Sequence, residues 1–127
     1  MQSIILITPE PLNLRAMAKS DENLKRVDIL SDQRLVVEGD WGWFALNIDD
    51  AIRADFEADE LADVLRVMTT SHFAQLEYSS AEAANAALKT LRIPETALID
   101  NDHGLRVSFT EVRRRISLGV DWVNCAG

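Results

Sequence analysis

Short apolar runs bounded by polar turn residues mark the first part of this chain as β-strands, in which successive side chains alternate between two faces. Residues 3–8 contain four consecutive aliphatic side chains and read as a buried strand. Thr8 and Pro9 follow the preference for an N-cap and a first helical position, because proline lacks an N–H that this position leaves unpaired. We therefore predict a strand over residues 3–8 and a short helix that ends near Lys19.

A three-stranded meander is predicted next, over residues 25–30, 34–38 and 41–48. The connections between these strands are short enough for hairpins, so the strands should pair antiparallel. In the third strand, one face carries Gly42, Phe44, Leu46 and Ile48, and the other carries Trp41, Trp43 and Ala45. Apolar residues on both faces indicate a strand covered on both sides, or one whose tryptophans form a contact surface.

Helical spacing replaces the alternation in the middle of the chain. Residues 59–69 place apolar side chains at i, i+3, i+4 and i+7, namely Leu61, Val64, Leu65 and Met68. A strand over residues 73–78 then leads into a second helix, for which Ser79 and Glu82 form a capping box. That helix should end before Pro94 and bury Ala84, Ala87, Leu88 and Leu91.

The last third of the chain predicts a strand, a tight turn and a final helix. The strand covers residues 96–100, and Gly104 supplies the positive φ that the turn requires. A short strand over residues 105–107 can return from it. Ser108 and Glu111 form a second capping box. The helix behind them should bury Phe109, Val112 and Ile116 and expose the arginine run 113–115.

The element order is β-α-β-β-β-α-β-α-β-α, which predicts an α+β fold. We expect a mainly antiparallel sheet of five to six strands with helices packed on it. The βαβ unit around residues 73–100 should set two strands parallel through a right-handed crossover. A length of 127 residues favours a single domain over residues 1–127.

The composition is that of a globular protein, with 47% apolar and 27% charged residues. The single cysteine, Cys125, excludes an intrachain disulfide framework and fits a reducing compartment. The first residues lack a basic side chain, and Pro9 stops their apolar run, which argues against a signal peptide. No run reaches the roughly 20 apolar residues of a membrane span. We expect a soluble, cytoplasmic protein.

Acidic residues are concentrated in residues 49–63, which we call the acidic segment. Its seven carboxylates are opposed by one arginine, Arg53, so it carries a net charge of −6 against a formal −8 for the whole chain. They are Asp49, Asp50, Asp55, Glu57, Asp59, Glu60 and Asp63. Such a charge disfavours nucleic acid and anionic membranes and favours a basic protein surface. The opposite interpretation is that a solvated loop and a first helical turn carry these charges.

Asp100, Asp102 and His103 form the cluster most similar to a catalytic or metal site. Their side chains could hold Mg²⁺ or place a carboxylate beside an imidazole for proton transfer. A tight turn between two strands uses the same residue types, and this is the simpler interpretation. His72 has no nearby Cys or His at metal-ligand spacing, so no zinc site is expected there. Cys125 has no basic neighbour that would favour its thiolate, so a reactive cysteine is not expected. We expect no cofactor.

The three tryptophans and the arginine run 113–115 can each have a structural role or a role in binding. We predict that Trp43 and Trp122 fill the core and that Trp41, beside Gly39 and Asp40, contacts a partner. The arginine run is predicted to be a solvated helix face near the favourable end of the helix dipole. Its alternative role is self-association with the acidic segment.

The C-terminal residues carry a resemblance to a known class of proteins. The strand and turn Ala97-Leu98-Ile99-Asp100-Asn101-Asp102-His103-Gly104 precede a helix that begins at Phe109 and a Gly119-Val120-Asp121-Trp122 sequence. Over about thirty residues this resembles small bacterial immunity proteins of polymorphic and contact-dependent toxin systems. The resemblance implies a cognate toxin that is bound and neutralised without catalysis, and it transfers no functional residue.

The sequence therefore predicts a non-enzymatic inhibitor that binds a basic, nuclease-like protein through the acidic segment, with Trp41 as a candidate anchor. One alternative is a small enzyme or a domain that binds a metal or small molecule near the turn from Asp100 to Gly104. Another alternative is an oligomeric regulatory module that pairs its sheet edges or its tryptophan surfaces.

Overall fold

A computed structural model describes residues 2–17, 24–101 and 104–124. The strands in these residues are β1 (Gln2–Thr8), β2 (Leu24–Ser31), β3 (Arg34–Gly39), β4 (Gly42–Ile48), β5 (His72–Tyr78), β6 (Leu98–Asp100) and β7 (Arg106–Ser108). The α-helices are α1 (Leu14–Met17), α2 (Ala58–Val67), α3 (Ala81–Thr90) and α4 (Phe109–Ser117), and a 3₁₀ helix covers Asp50–Asp55.

The strands form one sheet in the order β2-β3-β4-β5-β1-β6-β7, and every neighbouring pair is antiparallel. The predicted α+β class and the antiparallel meander are confirmed. The described sheet has seven strands because the short segment after Gly104 pairs with β6. Strands β5 and β6 run in the same direction, as predicted, but β1 lies between them and pairs with both.

Side chains from the two faces of the sheet form two separate apolar clusters. On one side, Leu6, Phe44 and Leu76 pack with residues of α1, α3 and α4, and we call this the helix-covered face. On the other side, Ile7 and Phe73 pack with the 3₁₀ helix and α2, and we call this the acidic face. Burial of these apolar side chains is the main source of stability, at about 25 cal/mol per Å² removed from water.

The first helix begins later than predicted. Thr8 is not an N-cap: its hydroxyl donates a hydrogen bond to the carbonyl oxygen of Glu10 at 2.7 Å. Helix α1 begins at Leu14, and the side chain of Asn13 accepts from the N–H of Arg15 at 3.1 Å. The cause is Pro11, since a residue before proline is disfavoured in helical conformation, and Glu10 is that residue. The predicted end at Lys19 lies outside the described residues.

The cap of α3 is displaced by one residue. Ser80 caps the helix and accepts a hydrogen bond from the N–H of Ala83 at 3.1 Å. The predicted cap, Ser79, instead accepts from the N–H of Trp43 at 3.0 Å. That contact depends on Gly42, which has φ +115°, and a Cβ there would lie 2.2 Å from the Ser79 hydroxyl oxygen.

Two predictions about buried side chains are wrong. Leu65, expected in the buried stripe of α2, is 38% exposed, because the helix contacts the sheet mainly through Val64 and Met68. Trp43, expected in the core, is 36% exposed, because it lies on a part of the acidic face that α2 does not cover. Trp122 is 1% exposed, which confirms its predicted place in the core.

Candidate functional site

The acidic segment starts where β4 ends, and its first carboxylates have local structural roles. Asp49 accepts a hydrogen bond from the N–H of Ala51 at 3.0 Å and thereby caps the 3₁₀ helix. Asp50 accepts from the N–H of Phe73 at 3.1 Å, and its Oδ1 lies 3.9 Å from Nδ1 of His72. These bonds attach the segment to β5 at its start.

Helix α2 attaches the remainder of the acidic segment to the sheet. Its buried Val64 and Met68, with Ile52 of the 3₁₀ helix, pack on Ile7 and Phe73. Amphipathic spacing of this kind turns the polar residues of the helix toward solvent. At the start of α2, the side chain of Glu60 accepts from the N–H of Glu57 at 3.1 Å.

Arg53, the single cation of the acidic segment, does not neutralise its neighbours. Its guanidinium donates to the backbone oxygen of Ser71 at 2.6 Å and to the Ser71 hydroxyl oxygen at 3.2 Å. It also lies 5.4 Å from the ring centre of Phe73. Arg53 therefore binds the loop before β5 and does not pair with the carboxylates of the acidic segment, most of which are exposed.

Most of these carboxylates are exposed, and two of them pair with arginines. Glu60 is half-buried, whereas Asp49, Asp50, Asp55, Glu57, Asp59 and Asp63 are all exposed. Asp63 contacts Arg66 one helical turn away at 3.1 Å, and Glu60 contacts Arg106 at 3.0 Å. Within the part of the chain that the structure describes, Asp55 and Asp59 have no ion-pair partner. The segment thus presents a net negative surface beside the sheet.

Arg106 joins the acidic segment to the strand end at Asp100, although the sequence gives no reason to connect the two. Its Nη2 contacts Oε2 of Glu60 at 3.0 Å, and its Nε contacts Oδ2 of Asp100 at 3.2 Å. Its guanidinium also lies 5.5 Å from the ring centre of Phe56. Asp100 and Arg106 are opposite each other on β6 and β7, so strand register brings them together.

A cleft of about 380 Å³ lies over this arginine, lined by Ile5, Asp55, Phe56, Glu60, Asp100, Gly104 and Arg106. Two members of the predicted Asp100 cluster, Asp102 and His103, lie outside the described residues, as does Cys125. Among the residues that are described, no three side chains of His, Cys, Asp or Glu are grouped so that they could hold a metal.

Asn101 has a structural role that sequence reasoning missed. Its side chain is 1% exposed, and its Nδ2 donates to the carbonyl oxygen of Trp122 at 2.8 Å. Its Oδ1 accepts from the N–H of Leu105 at 3.1 Å. The Trp122 indole in turn donates to Asn85 of α3 at 2.6 Å. The turn is thus attached to the core, and the positive φ of +98° at Gly104 confirms the predicted turn glycine.

The prediction that Trp41 and Trp43 share one face is wrong. Strand β4 begins only at Gly42, after Trp41, and the two side chains lie on opposite faces of the sheet. Trp41, the predicted anchor, is half-buried on the helix-covered face and stacks on Phe44 with ring centres 5.4 Å apart. Trp43 lies on the acidic face, where it is opposite Glu38 of β3. Since side chains alternate along a strand, Trp43 shares its face with Asn47 and with the start of the acidic segment at Asp49.

The sheet between Trp43 and the acidic segment carries a compensated polar row. Arg34 donates to the side chain of Asn47 at 2.5 Å, and Asn47 donates to Glu77 at 3.1 Å. The carboxylate of Glu77 therefore has polar partners on its own face.

Comparison of this chain with models of protein families, with curated proteins and with solved structures found no match. Among the described helices, none is long and apolar enough to cross a membrane.

Proposed function

We propose that this protein is a non-enzymatic inhibitor that binds a basic, nuclease-like protein through its acidic face, in the manner of an immunity protein. One observation carries the proposal: six of the seven carboxylates in the acidic segment are exposed. Arg53, the one cation within that segment, is used elsewhere, on Ser71. A surface that keeps its charge unpaired raises the rate at which an oppositely charged protein associates with it.

The proposal assigns different roles to different residues. All seven carboxylates steer the partner, and Asp55 and Asp59 are the ones most available for new pairs with lysine or arginine. Trp41 is the predicted anchor, but it stacks on Phe44 on the opposite face. We therefore propose Trp43, which is 36% exposed on the acidic face, as the apolar contact. Tryptophan is among the residues enriched at binding hot spots.

Capture followed by kinetics tests the proposal. The tagged protein is incubated with its native lysate at low salt, eluted by a salt step, and the eluate is read by mass spectrometry. A single basic protein should be released. Its association rate is then measured against ionic strength, and it should fall steeply as salt is added, because screening shortens the range of the charges.

Matched charge variants locate the surface. Asp55→Asn with Asp59→Asn and Asp63→Asn should slow association about tenfold or more at low salt. The control, Glu10→Gln with Asp32→Asn and Glu82→Gln, removes the same charge from other exposed sites and should have a small effect. Trp43→Ala should mainly speed dissociation. Equal effects of the two charge variants, or association that does not depend on salt, would refute the electrostatic role of the acidic segment.

A further inference from the structure

A second groove lies on the helix-covered face, between the end of α3 and α4. It has a volume of about 920 Å³, and its apolar lining residues include Leu91, Phe109 and Ile116. Apolar residues form its floor, and several of them belong to the main apolar cluster. A volume of roughly 300–1,000 Å³ is typical of small-molecule sites.

Three cations surround this apolar floor in a chain that is otherwise acidic. Lys89 and Arg92 are exposed, and neither has an ion-pair partner within the described residues. Arg113 lies across the groove, with its guanidinium 5.6 Å from the ring centre of Phe109. Its one carboxylate contact, with Glu95 at 3.9 Å, is long and exposed, and such contacts contribute little.

The other arginines of the run 113–115 are not available to this groove. Glu111 binds Arg114 through two hydrogen bonds of 2.8 and 2.6 Å, and it binds Arg115 at 3.1 Å. The structure thus separates Arg113 from Arg114 and Arg115, which share the carboxylate of Glu111 on their own helix. Lys89, Arg92 and Arg113 all line the groove, the first two at the end of α3 and the third on α4.

We propose that this groove binds a small amphiphilic anion, a free molecule with an apolar chain or ring and one anionic headgroup. The chain would lie on the floor between Leu91 and Ile116, where apolar contact is favourable. The headgroup would meet Arg92, Lys89 and Arg113, since arginine and lysine form their strongest hydrogen bonds with anions. The site is on the opposite side of the sheet from the acidic segment, so it is independent of the proposed inhibitor function.

Dodecanoate, kept below its micelle-forming concentration, is the probe. Isothermal titration should give one site per chain, and NMR shifts should concentrate at Leu91, Phe109 and Ile116. Dodecyltrimethylammonium and dodecyl maltoside have the same chain with a cationic or neutral head, and they should bind much more weakly. Binding of all three at equal strength would overturn the proposal, because the cations would then have no role.

Charge variants complete the test. Lys89→Gln with Arg92→Gln and Arg113→Gln should weaken dodecanoate binding about tenfold or more, which corresponds to losing at least one charge-assisted hydrogen bond. Arg15→Gln with Lys25→Gln and Arg66→Gln gives the same net charge and should bind like the wild type. Both variants are checked for an unchanged fold by circular dichroism and melting temperature before titration.

The remaining outcomes are also decisive. Equal weakening in both variants would mean that net charge alone attracts the anion, and the site would be rejected. An absence of dodecanoate binding would reject it as well. If a soluble peptide of leucine and glutamate residues binds the groove while dodecanoate does not, the occupant is a protein segment and not a small molecule.

Discussion

The acidic segment and the arginine run 113–115 are both dense runs of like charge, and the structure handles them differently. In the acidic segment, Arg53 turns away to Ser71 and leaves most carboxylates exposed. In the arginine run, Glu111 lies within one helical turn of Arg114 and Arg115 and binds both. Glu111 therefore offsets part of the charge of its run, whereas Arg53 makes no ion pair with the described carboxylates of its own segment.

The same contrast applies to the two faces of the sheet. The helix-covered face buries a large cluster supplied by three helices and most strands. The acidic face buries a small one, centred on Ile7, Ile52, Val64, Met68 and Phe73. We infer that the helix-covered face provides most of the stability and that the acidic face is held by fewer contacts.

Matched phenylalanine substitutions give the largest expected effect and test this inference directly. Phe44 on the helix-covered face is fully buried, and Phe73 on the acidic face is 1% exposed. Each change to alanine should lower the free energy of unfolding by about 3–5 kcal/mol. Phe44→Ala should fall at the upper end, because the larger cluster has less freedom to collapse around the cavity.

Urea unfolding of the two variants measures the difference, with equal m-values as the control for a common denatured state. If Phe73→Ala costs as much as Phe44→Ala, the small cluster is packed as rigidly as the large one. The two faces would then not differ in the way that we infer.

Arg106 gives the next largest effect, since it is the cation that connects α2 to the strand end. The side chains of Arg106 and Asp100 are 21% and 12% exposed. Arg106→Met should lower the free energy of unfolding by about 1–3 kcal/mol, because it leaves Glu60 and Asp100 without this guanidinium. The loss should be smaller than for a fully buried ion pair, because these side chains are partly exposed. A double-mutant cycle that combines Arg106→Met with Glu60→Gln should show a coupling energy of about 0.5 kcal/mol or more. Strict additivity would show that the ion pair between Arg106 and Glu60 contributes nothing to stability.

A change at Glu111 should have the smallest effect on stability, and it tests the ion pairs that Glu111 forms with Arg114 and Arg115. Hydrogen bonds from Arg114 and then from Arg115 lower the pKa of Glu111 from 4.5 to about 2. Because the folded-state pKa is the lower one, the stabilisation is complete above pH 4.5 and is lost as the pH falls toward 2. Glu111→Gln should therefore lower the melting temperature slightly near pH 7, and the difference from wild type should disappear as the pH approaches 2.

Added salt should reduce the same difference, because the pair is on the surface. A difference that is constant from pH 7 to pH 3 would show that the glutamine acts through packing and not through the two arginines.

Local sequence signals predicted the strands, the meander and the α+β class, because alternation and helical spacing depend on near neighbours. They placed Ser108 correctly as the cap of α4, where its hydroxyl accepts from the N–H of Glu111 at 3.2 Å. They failed at Thr8 and Ser79, where a second proline and a contact with β4 override the local preference. Competing contacts of that kind are not visible in a short window of sequence.

Only part of the candidate site could be predicted from the sequence. The acidic segment is visible as a run of charge, but its contact with Asp100 depends on Arg106, which is 46 residues from Glu60. Strand alternation wrongly placed Trp41 and Trp43 on the same face, because Trp41 lies before the first residue of β4, and it did not show which face α2 covers. Both questions depend on the order of strands in the sheet, which pairing between distant segments determines.

The position of β1 in the middle of the sheet has a consequence for how the chain folds. Gln2 pairs with Tyr78, and Ile7 pairs with Leu98. Strand β1 can therefore pair with its neighbours only once residues far along the chain are in place. The hairpins of β2, β3 and β4 can close early, whereas β1 joins only after a long loop has been ordered. Such distant pairing slows folding and leaves the apolar side chains of β1 without their neighbouring strands until β5 and β6 have been positioned.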